Sequence, residues 1–480
     1  MSRLLIAALA VVSFSLCACS AIPHALPARG ASTAAGTTPT DPPGPVLGLA
    51  FSGGGSRAAT FSAAVMRELA GIAVAGSPQP RSVLERPFYL SAVSGGSLSA
   101  AYYAVNKPDC PGGMIEQGAL SPCMASFFEG EYLKAMNEDW ERPLIESAIG
   151  DAIPRADAMA QNWDKALFHG FTFADLARRE LAGKSPWLML NGTSWDTGRR
   201  FVFTTLPASA FSYQFLPRVR EAIAAHPRPG VDLAAVDRLF ELDATRFNPM
   251  TFEEVDADPA GLRLSLAVAS SSSVPLLMGP VTFVTHDPDG TGHVQHIGDG
   301  GMFDNQGIET LAQVAFPKVL ARDAAGAPRR GLLIVVDASY PFDGDADVYR
   351  RDDNILAMLD KSPARISDIM EQRARAYQLL LWESLRTLQD PSDEVVPSAR
   401  QLPIVYLRHT DAARELAMSP PPACTQWTPS KVPTEAEMLL ALSRIPTRFR
   451  HSACDAALLE ASARIVVAAN RLRIVDAMNP

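Results

Sequence analysis

The stretch Val46-Leu47-Gly48-Leu49-Ala50-Phe51-Ser52-Gly53-Gly54-Gly55-Ser56-Arg57 runs from an unbroken apolar segment into three glycines and then into a helical pattern. Apolar residues without alternation read as a strand buried on both faces, as in a parallel sheet covered by helices. Behind the glycines, Phe61, Val65, Leu69 and Ile72 share one face of a helix expected over Ala58–Ile72. Consecutive glycines let backbone N–H groups converge on one point, and the helix N-terminus adds positive potential. The junction is therefore an anion site, for a phosphate or for the oxyanion of acyl transfer. Neither Gly-x-x-x-x-Gly-Lys-Ser/Thr nor Gly-x-Gly-x-x-Gly fits, because Arg57 and Ala58 stand in the wrong places, which argues against a nucleotide.

Outward from this junction, the chain alternates short apolar runs with helical patterns. Phe88–Val93, Trp187–Leu190, Phe201–Thr204, Leu264–Val268, Gly331–Asp337 and Pro403–Leu407 read as further strands, which predicts a layered α/β fold. Three segments are long for simple connections: about 106–182, 205–260 and 342–400. The first carries Phe127, Phe128, Tyr132, Leu133, Met136 and Trp140, which read as a helix packed on the core or as a cap over a site. In the third, Ile366, Ile369, Met370, Tyr377, Leu380, Leu381, Leu385 and Leu388 follow a helical period and read as core.

A second strand–turn–helix junction is Leu90-Ser91-Ala92-Val93-Ser94-Gly95-Gly96-Ser97. It resembles a nucleophile elbow, in which a strained turn lifts a serine above the sheet edge and small neighbours such as Gly96 avoid clashes. Ser94 is the elbow serine, and Ala92 stands where a glycine is usual. A serine nucleophile needs a base. Ile297-Gly298-Asp299-Gly300-Gly301 places Asp299 in a glycine-rich loop after an apolar run, where close backbone approach is possible.

Together, and in this order, Gly53–Arg57, Ala92–Gly96 and Asp299–Gly301 resemble the motifs of the patatin-like phospholipase family. Leu190-Asn191-Gly192-Thr193, Asp196-Thr197-Gly198, Ala267–Ser270 before Val274-Pro275, and Asn305 are weaker echoes. The resemblance covers about 46–340. It implies a patatin-like α/β/α fold with a mostly parallel central sheet and helical insertions. It also implies a Ser94–Asp299 dyad, an oxyanion hole from Gly53, Gly54 and Gly55, and phospholipid or lysophospholipid esters as substrates, with no cofactor. Arg57 would assist electrostatically or bind lipid phosphate, or else serve as a structural ion pair. A Ser–Asp–His triad using His409 or His451 is a rival. Others are an acyltransferase on the same site and a non-catalytic lipoprotein binding acyl chains or partners in the same cleft. His293 and His296 beside a loop aspartate read as solvated polar residues rather than metal ligands.

The 480 residues carry 43 basic and 52 acidic side chains, a formal charge of −9, with no basic run to attract nucleic acid. Met1-Ser2-Arg3, the apolar Leu4–Leu16 and Leu16-Cys17-Ala18-Cys19 form a signal segment too short to span a bilayer. The segment resembles the lipobox of bacterial lipoproteins, which implies cleavage after residue 18, lipid on Cys19 and anchorage in the cell envelope. Ser20 resembles the outer-membrane sorting pattern. Removal of Arg3 with residues 1–18 takes the charge to −10. Residues 19–45, rich in Ala, Pro, Gly and Thr, read as a flexible tether, of which the 25 residues 20–44 reach ~80 Å when extended. The expected organisation is then a hydrolase core over 46–340 and a mainly helical C-terminal extension of the same domain over 341–480. Cys110, Cys123, Cys424 and Cys454 allow three pairings, of which proximity favours 110–123 and 424–454.

Overall fold

Nine strands of one mixed sheet carry the fold in the computed structural model. It describes residues 22–30, 44–75, 80–143, 153–211, 248–274, 278–286, 290–320, 329–339, 402–428 and 431–479, with isolated positions between. In chain order the strands are β1 (Pro23–Ala25), β2 (Val46–Phe51), β3 (Tyr89–Val93), β4 (Trp187–Ser194), β5 (Arg200–Thr204), β6 (Val281–His286), β7 (Gly292–Asp299), β8 (Gly331–Asp337) and β9 (Ile404–Arg408). The run β4-β3-β2-β8-β9 is parallel throughout. Every residue of β2, β3 and β8 is buried, which is why these strands are apolar without alternation.

Helices cover both faces. Leu47, Leu49 and Phe51 point into a core shared with Phe61, Val65 and Leu69 of α1 (Gly55–Ala70) and with α2 (Gly95–Asn106). Val46 and Ala50 point the other way, onto Leu311 and Ala315 of the helix Ile308–Leu320. The long C-terminal helix Ala453–Met478 packs along α1. Phe127, Phe128, Tyr132, Leu133, Met136 and Trp140 are all buried, and the first three stack with Tyr102 and Tyr103 of α2 as core. Both disulfides favoured by proximity, Cys110–Cys123 and Cys424–Cys454, are formed.

The antiparallel strands finish the sheet in an unusual way. β3 pairs with residues 187–191 of β4, and β5 pairs with residues 189–193, so β3 and β5 lie on opposite sides of β4. β7 pairs with residues 192–194, where β5 already occupies its side. It therefore lies on the β3 side, end to end with β3 and running against it. β6 and β1 then extend the sheet from β7.

Two expectations are corrected. Leu264–Val268 belongs to a helix, α3 (Leu264–Ser271), not to a strand. Its residues are buried on all sides, so its apolar run carries no period that separates helix from strand. Within the expected tether, residues 22–30 are docked. β1 pairs in parallel with β6, Leu26 N–H donates to Val284 O (2.8 Å), and Asp258 N–H donates to Pro27 O (2.8 Å). Arg29 pairs with Glu253 (3.1 Å) and His24 meets Asp157 (2.5 Å). A segment without apolar period wins its place here through backbone hydrogen bonds to an open sheet edge. The Ile366–Leu388 stripe and most of 205–260 lie outside the described residues.

Candidate active site

Ser94 follows β3 with φ 52° and ψ −124°, a conformation costly for a residue with a Cβ and typical of a strained functional turn. Asp299 ends β7 opposite Gly192, one position beyond Asn191, which faces Val93. The end-to-end strands thus bring Ser94 and Asp299 together where β3 and β7 meet. Both residues are nearly closed to solvent, at 6% and 5% exposure. Burial pushes the Asp299 carboxyl up to about 6, and the hydrogen bond from Gly301 N–H opposes that rise.

The two strand–helix turns press against each other. A Cβ at Gly95 would overlap the Gly55 carbonyl oxygen, and one at Gly96 would sit 2.5 Å from Ser52 O. A Cβ at Gly53 would lie 3.3 Å from Ser94 Cβ, so the glycine turn runs beside the serine. Gly54 and Gly55 have φ of 141° and 58°, open to glycine at little cost. Gly53 N–H donates to Asn305 O (2.8 Å) and Ser56 N–H to Arg448 O (2.6 Å). Among the described residues the N–H groups of Gly54 and Gly55 have no such partner, so the candidate oxyanion donors narrow from three glycines to two.

Ser271, at the end of α3, is the residue that sequence reasoning missed. Its Oγ accepts the Ser94 N–H (3.1 Å), meets Ser97 Oγ (2.8 Å) and donates to Asn191 O (2.6 Å). Its carbonyl accepts Gly300 N–H (3.3 Å), and Ser273 O accepts Asp299 N–H (3.0 Å). One segment therefore holds both candidate groups. The run Ser270-Ser271-Ser272-Ser273 was its only signal in the sequence. Thr193 Oγ1 adds a bond to Asp299 O (2.9 Å), and Asn191 Nδ2 donates to Ala92 O (2.9 Å) below the elbow.

Arg57 does not face the site as a free cation. It is 1% exposed, and its guanidinium donates to Ala338 O (2.7 Å) and Ile445 O (2.6 Å). The helix start is tied by this side chain to β8 and to the C-terminal region. His409 is buried against Phe61, with Nδ1 3.4 Å from Asp337 O, and burial pushes its pKa down to about 4. His451 Nε2 meets Asn137 Oδ1 (2.9 Å). Neither histidine hydrogen-bonds Ser94 or Asp299. His296 is paired with Asp196 (2.9 Å), and Cys19 lies outside the described residues.

Fold and site together define a layered α/β protein in which a glycine turn and a serine elbow flank a buried carboxylate. Residues 49–312, more than half of the chain, match the family described as patatin-like phospholipase, and the chain belongs to that family. No curated protein matches the chain. Among solved structures, human GIVD cytosolic phospholipase A2 is similar at 12% identity and a TM-score of 0.40, over 90% of this chain and 60% of that one. VipD from Legionella pneumophila is similar at 10% identity and a TM-score of 0.29, over 96% and 71%. The chain thus spans less than two thirds of the human protein.

Proposed function

We propose that the chain is a lipid acyl hydrolase of the phospholipase A or lysophospholipase type, working through Ser94 and Asp299. The observation that carries this reading is the strained elbow serine set beside the buried Asp299 carboxyl where β3 and β7 meet end to end. Asp299 takes the proton of Ser94 Oγ as that oxygen attacks the ester carbonyl carbon. The N–H groups of Gly54 and Gly55 stabilise the oxyanion, each contributing ~3 kcal/mol. The intermediate expels the alcohol, which receives the proton back from Asp299. Water, deprotonated by the same carboxylate, then releases the fatty acid from Ser94. Ser94→Ala and Asp299→Asn should each remove ester hydrolysis and leave the fold intact, and a fluorophosphonate probe should label Ser94. Turnover retained in either variant overturns the dyad.

The anchorage belongs to the same proposal. Through the sheet registers, Pro23 stands on the order of 15 Å from Ser94, counting two inter-strand spacings and three residues along the strands. Cys19 is four residues before Pro23 and hence within about 14 Å of it. A lipid on Cys19 would hold the site close to the membrane surface rather than on a long leash. Labelling with a fatty-acid probe that survives Cys19→Ser would refute the attachment point.

A further inference from the structure

Resting on the reading of the site as a phospholipid hydrolase, we infer that Arg448 recognises the phosphate of the lipid head group. The inference starts from the cation that is not available: Arg57, the arginine of the glycine motif, is buried and spends its guanidinium on Ala338 O and Ile445 O. A solvent-facing cation beside the glycine turn then has to be another arginine. The segment 444–451, beyond the residues matched to the family, crosses the start of α1. Arg448 O accepts the Ser56 N–H at 2.6 Å, and a Cβ at Gly55 would lie 3.0 Å from Arg448 N. Arg448 is therefore seated directly against the glycine that offers an oxyanion donor.

This seat is rigidly built. Trp140 N–H donates to Phe449 O (2.9 Å), His451 is held by Asn137, and Cys454 is bonded to Cys424 just beyond. Three arginines punctuate the segment and all are exposed. Arg450 pairs with Glu141 at 3.1 Å, and Arg444 caps the C-terminus of the helix Glu435–Ser443, where a cation complements the helix dipole. Arg448 has neither explanation: among the described residues it has no carboxylate partner. A chain with net charge −9 repels an anionic head group overall, so an exposed cation carried beside the glycine turn has a task. Guanidinium and phosphate oxygens pair bidentately, and in a glycerophospholipid the phosphate sits only a few bonds from the scissile ester.

The test uses the full chain and two lipids with identical acyl chains in neutral detergent micelles: phosphatidylcholine, which is net neutral, and diacylglycerol, which lacks phosphate. Arg448→Ala should raise KM for phosphatidylcholine about tenfold with kcat nearly unchanged, and should leave diacylglycerol kinetics as they were. Arg448→Lys should recover part of the loss, and Arg448→Glu should deepen it. Equal losses on both lipids would show a structural role and overturn the inference, as would unchanged phosphatidylcholine kinetics. Wild-type protein that hydrolyses neither lipid, or does so without Ser94, would instead overturn the hydrolase reading and this inference with it.

Discussion

Val93 and Asp299 occupy consecutive positions along one edge of β4, Val93 opposite Asn191 and Asp299 opposite Gly192, although 206 residues separate them in the chain. Two strands running toward each other must both turn away where they meet. The serine elbow is one of these turns and the Asp-Gly-Gly loop is the other. Their collision point is the candidate active site.

The acid limb of activity follows from the Asp299 environment. A base must be deprotonated, and burial holds this carboxyl at about 6. Ester hydrolysis should fall about tenfold per pH unit below 6 and level off above about 7. A limb centred near 4 would contradict a desolvated Asp299.

The same shift has the opposite sign for stability. Because the folded-state pKa is raised from 3.8 to about 6, the native state binds the proton more tightly, and stability from this group is lost as pH rises between those values. Asp299→Asn should therefore be more stable than wild type at pH 8, by on the order of 2–3 kcal/mol, with the difference disappearing near pH 4. Thermal melts at the two pH values measure it.

Ser271→Ala removes the acceptor of the Ser94 N–H and the partner of Ser97 Oγ. An orphaned buried N–H costs about 1–3 kcal/mol, and the elbow should lose kcat by 10-fold to 100-fold on that scale. Ser270→Ala is the control, since Ser270 Oγ only returns to Leu266 O within its own helix. Equal kcat in the two variants would remove Ser271 from the positioning machinery.

The glycines after Asp299 should respond differently to a methyl group. A Cβ at Gly300 would overlap the backbone oxygen of Asn191, so Gly300→Ala should destabilise the fold by ~2 kcal/mol or more. A Cβ at Gly301 would instead press on Asp299 Oδ1 at 3.0 Å and on the Asn305 side chain. Gly301→Ala should fold and lose kcat, which circular dichroism with esterase assays separates.

The Cys424–Cys454 bond secures the segment that carries Arg448 O to Ser56 N–H. Replacing both cysteines by serine should lower kcat as well as cost about 2–4 kcal/mol of stability. The same change at Cys110 and Cys123, remote from the glycine turn, should cost stability alone. Rates that respond alike would deny the segment a role at the site.

Residue patterns made much of this legible. The apolar run Val46–Phe51 and the glycine turn behind it are local statements about burial and chain reversal, and the strand, turn and helix follow one another as expected, with positive φ at Gly54 and Gly55. Leu264–Val268 was misread because burial on every side erases the helical period. Pro23–Ala25 was misread because an edge strand held by backbone hydrogen bonds needs no side-chain signature. Arg57 stands in a functional motif, but only its partners Ala338 and Ile445, far off in sequence, reveal that its charge is spent.

By itself, then, the sequence determined where the chain turns: each junction is written in residues that are adjacent and whose sterics are local. Tertiary structure alone decided what those turns meet. The register that sets Asp299 beside Ser94, the Ser271 latch and the seating of Arg448 on Ser56 join residues more than 170 positions apart. Such contacts follow from how strands share an edge and how helices fill a face, and no periodicity along the chain encodes which distant partner arrives there.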